Sequence, residues 1–262
     1  MERWQPLRRR TIAAVAIAAA GLVGAPASAP SAAGTLNLQE SLRLVSDPVV
    51  CPPETPPNAY ECRGRTSTGS VRGLGALSAT YTWFARIGPP TCPSDLGKPL
   101  ATTGRISVGT KGELRFSLTE GARCVPQEQI RNEPQDFTLT GGAGAYEGAS
   151  GSGTLRRSVG GGGGTERWTG TLVAPGVEFD LTAPTFRGAK SKTVRAPKGA
   201  ARVRVIYKVT ASDAVDGPVA TTCSPRPCSR FRIGPTIVRC SATDSSANTG
   251  RTSFRVTVRA AK

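Results

Sequence analysis

The 262-residue sequence contains no histidine, only one methionine (Met1), and few aromatic residues, which make up 5% of the chain. The absence of histidine excludes serine–histidine and cysteine–histidine catalytic pairs, and every metal centre that needs an imidazole ligand. Since methionine and aromatic side chains are scarce, we expect the hydrophobic core to rest on Val, Leu, Ile and Ala. No catalytic, cofactor-binding or metal-binding residues can be assigned, and we predict a protein that is not an enzyme.

Beyond its N-terminal region the sequence also lacks an apolar run of the ~20 residues that a bilayer crossing needs. Near the start, several arginines precede the uncharged run TIAAVAIAAAGLVGA, and the small-residue stretch PASAPSAAG follows it. This order is typical of a secretory signal peptide. We predict a signal at residues 1–33, cleaved between residues 27 and 33, and a secreted protein without a membrane span. An uncleaved N-terminal anchor is the alternative.

Acidic residues are nearly missing from the last third of the sequence. Residues 33–184 carry fourteen basic and fourteen acidic side chains, whereas residues 185–262 carry sixteen basic side chains and only three aspartates. This asymmetry indicates two modules with different surfaces. Prolines and glycines punctuate the polar stretch around residues 184–199, so we place a first domain at residues 34–184 and a second at 185–262.

Alternation with a period of two residues dominates the first domain, and no helical repeat of useful length is present. In LNLQESLRLVS the leucines fall on alternate positions, and GELRFSLTE and VEFDL repeat the pattern. Such alternation indicates antiparallel strands with one buried face. We predict an all-β protein whose first domain is an antiparallel β-barrel. Glu113 and Glu178 are expected to face solvent, whereas Glu40 interrupts an apolar face and is the best candidate for an inward carboxylate.

Seven cysteines in an exported protein indicate disulfides rather than redox or metal sites. Four of them lie in the first domain, and four cysteines allow three connectivities among which the sequence does not choose. We favour Cys51–Cys62, which would close a proline-rich loop. We also favour Cys92–Cys124, which would tie a loop beside IGPP to the end of the strand that carries Phe116.

The glycine-rich run GGAGAYEGASGSGTLRR raises the question of a phosphate-binding loop. Its glycines lack the lysine and the helix that such loops require, and Glu147 would repel a phosphate. The run therefore predicts a turn between strands, with glycines supplying positive φ. LTGGAGAYEGASGSGTL also resembles the strand–turn–strand motif of secreted β-barrel proteins of the allene oxide cyclase and dirigent type, which implies a small apolar cavity. The later VGGGGGTERW predicts a hairpin loop, with a domain linker as the alternative.

The second domain contains VTASDAVDGPVATTCSPRPCSRFRIGPTIVRCSATDSSANTGRTSFRVTV, which closely resembles a hyalin repeat (HYR) domain. The residues that carry the resemblance are Ala211, Asp213, Asp216, Gly217, Pro218, Cys223, Phe231, Gly234, Val238, Cys240, Ala242, Asp244 and Asn248. The resemblance implies an immunoglobulin-like β-sandwich with a role in extracellular adhesion. It also implies a Cys223–Cys240 disulfide, whose loop closure contributes roughly 3 kcal/mol in the chain-entropy model.

Two positions depart from the HYR pattern. Cys228 lacks an obvious partner, and Ala247 stands where the family commonly has glycine. Asp213, Asp216 and Asp244 are predicted to cap turns rather than to bind calcium, because three carboxylates in so basic a domain make a poor cation site.

The strands ARVRVIYKVT and SFRVTVR place basic side chains on their solvent face. We predict a candidate anion-binding surface, comprising Arg202, Arg204, Lys208, Arg255 and Arg259. Such a surface attracts polyanions in a salt-dependent way, although a merely solvated face is the alternative. The aromatic residues of the domain alternate inward, so base stacking and specific nucleic-acid binding are not expected.

Three functional hypotheses follow. The leading one is an exported, non-catalytic binding or adhesion protein that uses no cofactor. The second is a carrier of a lipophilic ligand, or a cofactor-free isomerase, acting through the barrel interior. The third is attachment to cell-surface or other anionic polymers through the basic HYR surface.

Overall fold

The structure is a computed structural model that describes residues 32–49, 61–160 and 163–261. Nineteen strands and one short 3₁₀ helix account for its regular elements, so the predicted all-β fold class is confirmed. Nearly all of the predicted signal peptide lies outside the described residues. Within the described ranges, no helix has the length and apolar character that crossing a membrane would require.

Ten strands form the first and largest sheet. In chain order they are β1 (Ala32–Pro48), β2 (Glu61–Val71), β3 (Gly75–Ile87), β4 (Leu96–Pro99), β5 (Thr102–Val108), β6 (Gly112–Leu118), β7 (Val125–Pro126), β8 (Gln135–Gly144), β9 (Ser150–Gly160) and β10 (Gly163–Phe179), with the 3₁₀ helix Gln127–Asn132 between β7 and β8. The order is β2-β1-β10-β9-β8-β6-β5-β3, and β2 also pairs with β3. These eight strands therefore close into a barrel.

Every pairing around the barrel is antiparallel, as the alternation predicted. The alternate leucines of β1 point inward and are buried, whereas their neighbours are exposed. β4 and β7 extend from β3 outside the closed ring. One face of each barrel strand is thus committed to the interior and the other to the outside.

Aromatic rings fill the middle of the barrel, which corrects the expectation of a purely aliphatic core. The chain's few aromatic residues are concentrated here, and four of them pack in sequence with ring centroids 5.8, 5.0 and 5.0 Å apart: Tyr81, Phe116, Trp168 and Phe137. Since one aromatic side chain buries far more area than a valine, a low aromatic count still supplies a large core.

The glycine-rich run forms the predicted turn. β8 ends at Gly144, β9 begins at Ser150, and Gly144 has φ +67°, a left-handed conformation that glycine adopts without strain. Tyr146 is 1% exposed and packs into the core from the turn. The next connection is the predicted hairpin, since Gly160 pairs with Gly163 across residues that lie outside the described ranges.

Two of the predicted disulfides are present, Cys92–Cys124 and Cys223–Cys240. Cys62 is buried, and its predicted partner Cys51 lies outside the described residues. Cys228 is exposed and free. Disulfides of this kind fit an oxidising, extracellular location.

The remaining strands form three small sheets. They are β11 (Thr185–Arg187), β12 (Lys192–Arg195), β13 (Arg202–Arg204), β14 (Thr210–Asp213), β15 (Gly217–Val219), β16 (Thr221–Ser224), β17 (Arg230–Arg232), β18 (Gly234–Thr243) and β19 (Thr249–Arg259). The sheets have the orders β11-β14-β15, β12-β19-β18-β16 and β13-β17. Their inner residues share one core, which includes Val205, Phe231, Val238, Phe254 and Val256. This arrangement is the predicted immunoglobulin-like domain.

The turn between β2 and β3 contacts the loop between β18 and β19, and so joins the two domains. The amide of Gly73 donates to the carbonyl of Ser246 at 2.7 Å, and Nε of Arg72 donates to Oδ1 of Asn248 at 3.1 Å. Arg72 also donates through Nη2 to the carbonyl of Leu181 at 2.6 Å. The loop at residues 244–248 is therefore held from the barrel side as well as from its own strands.

Ala247 has φ +64°, which confirms that this loop has the geometry for which glycine is suited. The left-handed conformation of alanine costs about 1–2 kcal/mol, which glycine avoids. Glycine loses more backbone entropy on folding, and this offsets about 0.5–1 kcal/mol of the gain. We expect Ala247→Gly to raise the free energy of unfolding by about 0.5–1 kcal/mol, as measured by urea denaturation. The control is Ala76→Gly on an exposed face of β3, where the same change should destabilise. Equal destabilisation by both variants would contradict the reasoning.

Candidate functional site

A cluster of polar side chains lies inside the barrel. The register of the β9–β10 pair places Arg157 opposite Glu166, and both side chains are 0% exposed. Nε of Arg157 donates to Oε1 of Glu166 at 3.2 Å and to the Tyr81 hydroxyl at 2.9 Å. The hydroxyls of Tyr81 and Ser67 donate to the two oxygens of Glu166. The carboxylate, carried by β10, therefore accepts hydrogen bonds from groups on β2, β3 and β9.

Arg65 brings a second guanidinium into the same interior. It is 1% exposed, and its Cζ lies 4.9 Å from the centroid of the Trp83 ring. None of its three guanidinium nitrogens has a hydrogen-bond partner, and neither do Nη1 and Nη2 of Arg157. Two buried cations thus face one buried carboxylate, an arrangement that costs free energy because the excess charge is neither solvated nor paired.

Burial dominates the protonation of this cluster. The pKa of Arg65 is lowered to about 10, chiefly by burial and in part by the charge of Arg157, while Tyr81 and Glu166 act in the opposite direction. Burial also raises the pKa of the Tyr81 hydroxyl above its usual range. Tyr81 therefore stays protonated at neutral pH and acts as a hydrogen-bond donor to Glu166.

Glu40 faces the interior, as its interruption of the apolar face indicated. It pairs in register with Trp168, is half-buried, and lines a cavity of about 30 Å³ together with Leu38, Leu42, Val71, Leu77 and Ile106. A cavity of that size corresponds to about one water molecule. Glu113 and Glu178 belong to the outer face, where Glu113 accepts a hydrogen bond from Arg115 at 3.2 Å. The Glu40 cavity is therefore too small for a substrate, whereas a larger, open pocket of about 700 Å³ is lined by Arg65, Tyr81 and Phe116.

On the immunoglobulin-like domain, β13 and β17 form a two-stranded ribbon of arginines. Arg202 pairs with Arg232 and Arg204 with Arg230, and all four are exposed. The central residues of the two strands point into the core. Side chains directly opposite each other on antiparallel strands are about 4.5–5.5 Å apart at Cβ, and like charges at that spacing repel. We call these four residues the arginine ribbon.

The predicted anion-binding residues lie on different sheets. Arg202 and Arg204 belong to the arginine ribbon, whereas Arg255 and Arg259 lie on the exposed face of β19. Lys208 is exposed in the segment between β13 and β14. Since both sheets pack their inner faces into one core, their basic outer faces point in different directions. The structure adds Arg230 and Arg232 to the first face, which sequence reasoning missed.

Ion pairs do not compensate this positive charge. The ion pairs found among the described residues join side chains within residues 61–166, which belong to the barrel domain. Beyond Thr185, the three aspartates lie in loops or at strand ends away from the arginine ribbon. The exposed arginines of the HYR domain therefore carry their charge without an acidic partner in the described chain.

The three HYR aspartates meet a fourth, Asp180, which directly follows β10. Each of the four contributes a carboxylate oxygen, and these oxygens lie within 4.8 Å of one another. The predicted capping is confirmed for two of the three, since Oδ1 of Asp213 accepts from the amide of Val215 at 2.8 Å, and Asp244 accepts from the amide of Asn248 at 2.7 Å. Asp216 instead accepts from the amide and the hydroxyl of Ser245, at 3.0 and 2.7 Å. Burial raises the pKa of Asp244, and the like charges of its aspartate neighbours add to the shift. We call these four residues the junction aspartates.

Residues 179–258 match the HYR domain family, which supports the resemblance seen in the sequence. The match begins at the last residue of β10 and runs to residue 258, one residue before the end of β19. No curated protein and no solved structure matches the chain. The barrel is thus established by its own topology, and its relationship to the allene oxide cyclase and dirigent type stays a prediction.

The interior cluster was missed because its members do not break the strand alternation strongly. Arg157 follows Arg156 in sequence, and two adjacent arginines are typical of an exposed segment. Glu166 is flanked by the polar residues Thr165 and Arg167, which are also typical of an exposed segment. The sequence did contain a usable signal. Residues two apart on a strand lie on the same face, so Arg157 lies on the face of Leu155, and Glu166 on the face of Trp168. Strand parity alone assigns both side chains to the interior.

We expect Glu166→Gln to cost about 3–5 kcal/mol of unfolding free energy, because it leaves Arg157 buried without its carboxylate. The control is Glu113→Gln on the outer face, where loss of an exposed ion pair costs about 0–1 kcal/mol. Urea denaturation followed by Trp fluorescence measures both. Similar losses in the two variants would show that Glu166 is not the charge that holds the interior together.

In contrast to Glu166→Gln, we expect Arg65→Met to raise the free energy of unfolding. The guanidinium has no hydrogen-bond partner, and replacing a buried charge by an apolar side chain of similar length is often stabilising by about 1–4 kcal/mol. Loss of the contact with Trp83 offsets part of this gain. We expect a higher urea midpoint with an unchanged denaturant dependence. A lower midpoint would contradict the inference that the unpaired guanidinium costs free energy in the folded state.

Proposed function

We propose that the protein is an exported, non-catalytic adhesion protein that attaches to anionic polymers of an extracellular surface through its HYR domain. On this proposal, a leader at residues 1–33, cleaved between residues 27 and 33, precedes a barrel domain at 34–184 and the HYR domain at 185–262. The match to the HYR family and the disulfides are consistent with an extracellular module of the adhesion type.

The observation that carries the proposal is the arginine ribbon. Its four side chains form an array of about 5 by 7 Å, from the cross-strand spacing and the two-residue repeat along a strand. Their mutual repulsion has no compensation within the described chain, and a bound polyanion would supply it. Guanidinium groups bind sulfate, phosphate and carboxylate through paired hydrogen bonds, which suits a repeating anionic polymer.

A nucleic acid is a less suitable partner than an anionic polysaccharide or a teichoic-acid-like polymer. Phe231 and Phe254 of the HYR domain are buried in its core, and Phe186 and Tyr207 are half-buried and pack against that core. Since base stacking needs exposed rings, the ribbon offers only backbone-type charge contacts. The expected partner is therefore recognised by its charge spacing rather than by bases.

The lipophilic carrier or isomerase is the second hypothesis, and the barrel interior gives it less support. The cavity beside Glu40 is about 30 Å³, whereas pockets for small-molecule ligands are roughly 300–1,000 Å³. Glu166 is held by three donors and does not line the larger pocket of about 700 Å³ that Arg65 and Tyr81 border. Ligand binding inside the barrel would require the aromatic core to open.

The test compares two double variants of the full chain on immobilised heparin. Arg204→Ser/Arg230→Ser removes one cross-strand pair of the ribbon, and Arg156→Ser/Arg167→Ser removes an equally exposed cross-strand pair from the barrel. We expect the ribbon variant to elute at lower salt, with the slope of log affinity against log salt reduced by about 1–2. The barrel variant should elute close to the unmodified chain.

Two outcomes would contradict the proposal. Equal losses in both variants would show that retention reports net charge and no particular surface. Elution of the unmodified chain together with a neutral reference protein would show that the ribbon does not bind polyanions at all.

A further inference from the structure

The junction aspartates come from both domains. Asp180 follows the last barrel strand, Asp213 ends β14, Asp216 lies in the β14–β15 turn, and Asp244 follows β18. Three of them are buried, and Asp216 is exposed. The fold thus gathers four carboxylates from four separate segments, and leaves one of them open to solvent.

Two oxygens of this cluster lack a partner. Oδ2 of Asp180 and Oδ2 of Asp213 are buried and accept no hydrogen bond, although both residues are only 7% exposed. Their Oδ1 atoms are used by local turns, as Asp180 accepts from the amide of Thr182 at 2.9 Å. Turn capping therefore accounts for one oxygen of each carboxylate and leaves the other oxygen unsatisfied.

No basic side chain within the described residues forms an ion pair with the cluster. Arg72 is the cation that reaches the junction, but its hydrogen bonds go to the amide oxygen of Asn248 and the carbonyl of Leu181. Four carboxylates at such close range repel one another strongly, and a bound cation is the usual compensation.

We propose that Asp180, Asp213, Asp216 and Asp244 bind a calcium ion at the junction of the barrel and the HYR domain. The sequence-based expectation of turn capping without a metal rested on three aspartates. Asp180, which the fold supplies from the barrel side, makes the fourth and provides one of the two unsatisfied oxygens.

The spacing of the oxygens favours calcium over smaller ions. Calcium–oxygen distances are about 2.3–2.6 Å, so two ligands on opposite sides of the ion are about 4.6–5.2 Å apart. The observed upper limit of 4.8 Å fits within that span. Magnesium, at about 2.1 Å, would draw opposite ligands to about 4.2 Å and demand a strict octahedron. Zinc prefers nitrogen and sulfur ligands, which the cluster does not contain.

The ion would fix the loop that joins the domains. Asp244 begins residues 244–248, and the same loop supplies Ser246 and Asn248 to the barrel contacts. Asn248 also donates through Nδ2 to the carbonyl of Asp180 at 2.9 Å and to Asp244 at 2.9 Å. Calcium would therefore bind a set of groups that already links the end of β10 to this loop.

The test uses the full mature chain, stripped with EDTA and titrated with CaCl₂. We expect a saturable rise in Tm and binding heat in calorimetry, and a smaller rise with MgCl₂ at the same concentration. Asp213→Asn keeps the Oδ1 cap and removes one charge, so it should lower calcium affinity at least tenfold. In EDTA the same variant should unfold at the same or a higher temperature than the unmodified chain, because repulsion is reduced.

Asp136→Asn, an exposed change on β8, is the matched control and should respond to calcium like the unmodified chain. Asp180→Asn is the second site variant, so that the test does not depend on the folding of one protein. The proposal is overturned if calcium up to about 10 mM, above the range of extracellular calcium modules, leaves Tm unchanged. It is also overturned if either site variant keeps the calcium response of the control.

Discussion

The separation of charge in the HYR domain is the constraint on which the rest of the molecule depends. Its three aspartates are all drawn to the junction with the barrel, where they meet Asp180. Among the described residues, no ion pair involves a basic side chain beyond Thr185. The domain therefore combines an acidic centre at the junction with a basic surface, neither of which is compensated by an ion pair within the described residues. On the two proposals made above, a ligand of the opposite sign would compensate each.

In the barrel, by contrast, a buried carboxylate is paired with a cation inside the same domain. Closure of the sheet by the β2–β3 pairing gives every strand one interior face, and side chains on that face have no route to water. Glu166 accepts from Nε of Arg157 and from the hydroxyls of Tyr81 and Ser67, while Nη1 and Nη2 of Arg157 have no hydrogen-bond partner. The aromatic rings pack around this cluster. Such a buried network specifies a packing arrangement more readily than it binds a ligand, because each member depends on the others.

Local patterns predicted the strands, the turn after Gly144 and the inward position of Glu40, because these follow from parity and short-range turn chemistry. The Cys92–Cys124 pair was one favoured choice among three connectivities, and the Cys223–Cys240 pair followed from the HYR resemblance; both are present. Three features depended on contacts between segments distant in sequence and were missed. The aromatic core joins residues from four strands. The arginine ribbon required the β13–β17 register, and the junction aspartates required the end of β10 to meet loops from the next domain.

The loop at residues 244–248 carries Asp244 of the junction aspartates and also forms the hydrogen bonds that join the second domain to the barrel. A Cβ atom on Gly75 would lie 2.2 Å from the carbonyl oxygen of Ser245, so the barrel turn and this loop are already at the closest approach that backbone atoms allow. Relief of charge repulsion at Asp244 therefore cannot be achieved by moving the loop toward the barrel. It needs either protonation, a move away that breaks the Gly73–Ser246 hydrogen bond, or a cation held in place. At neutral pH, a cation is the solution that preserves the contacts between the two domains.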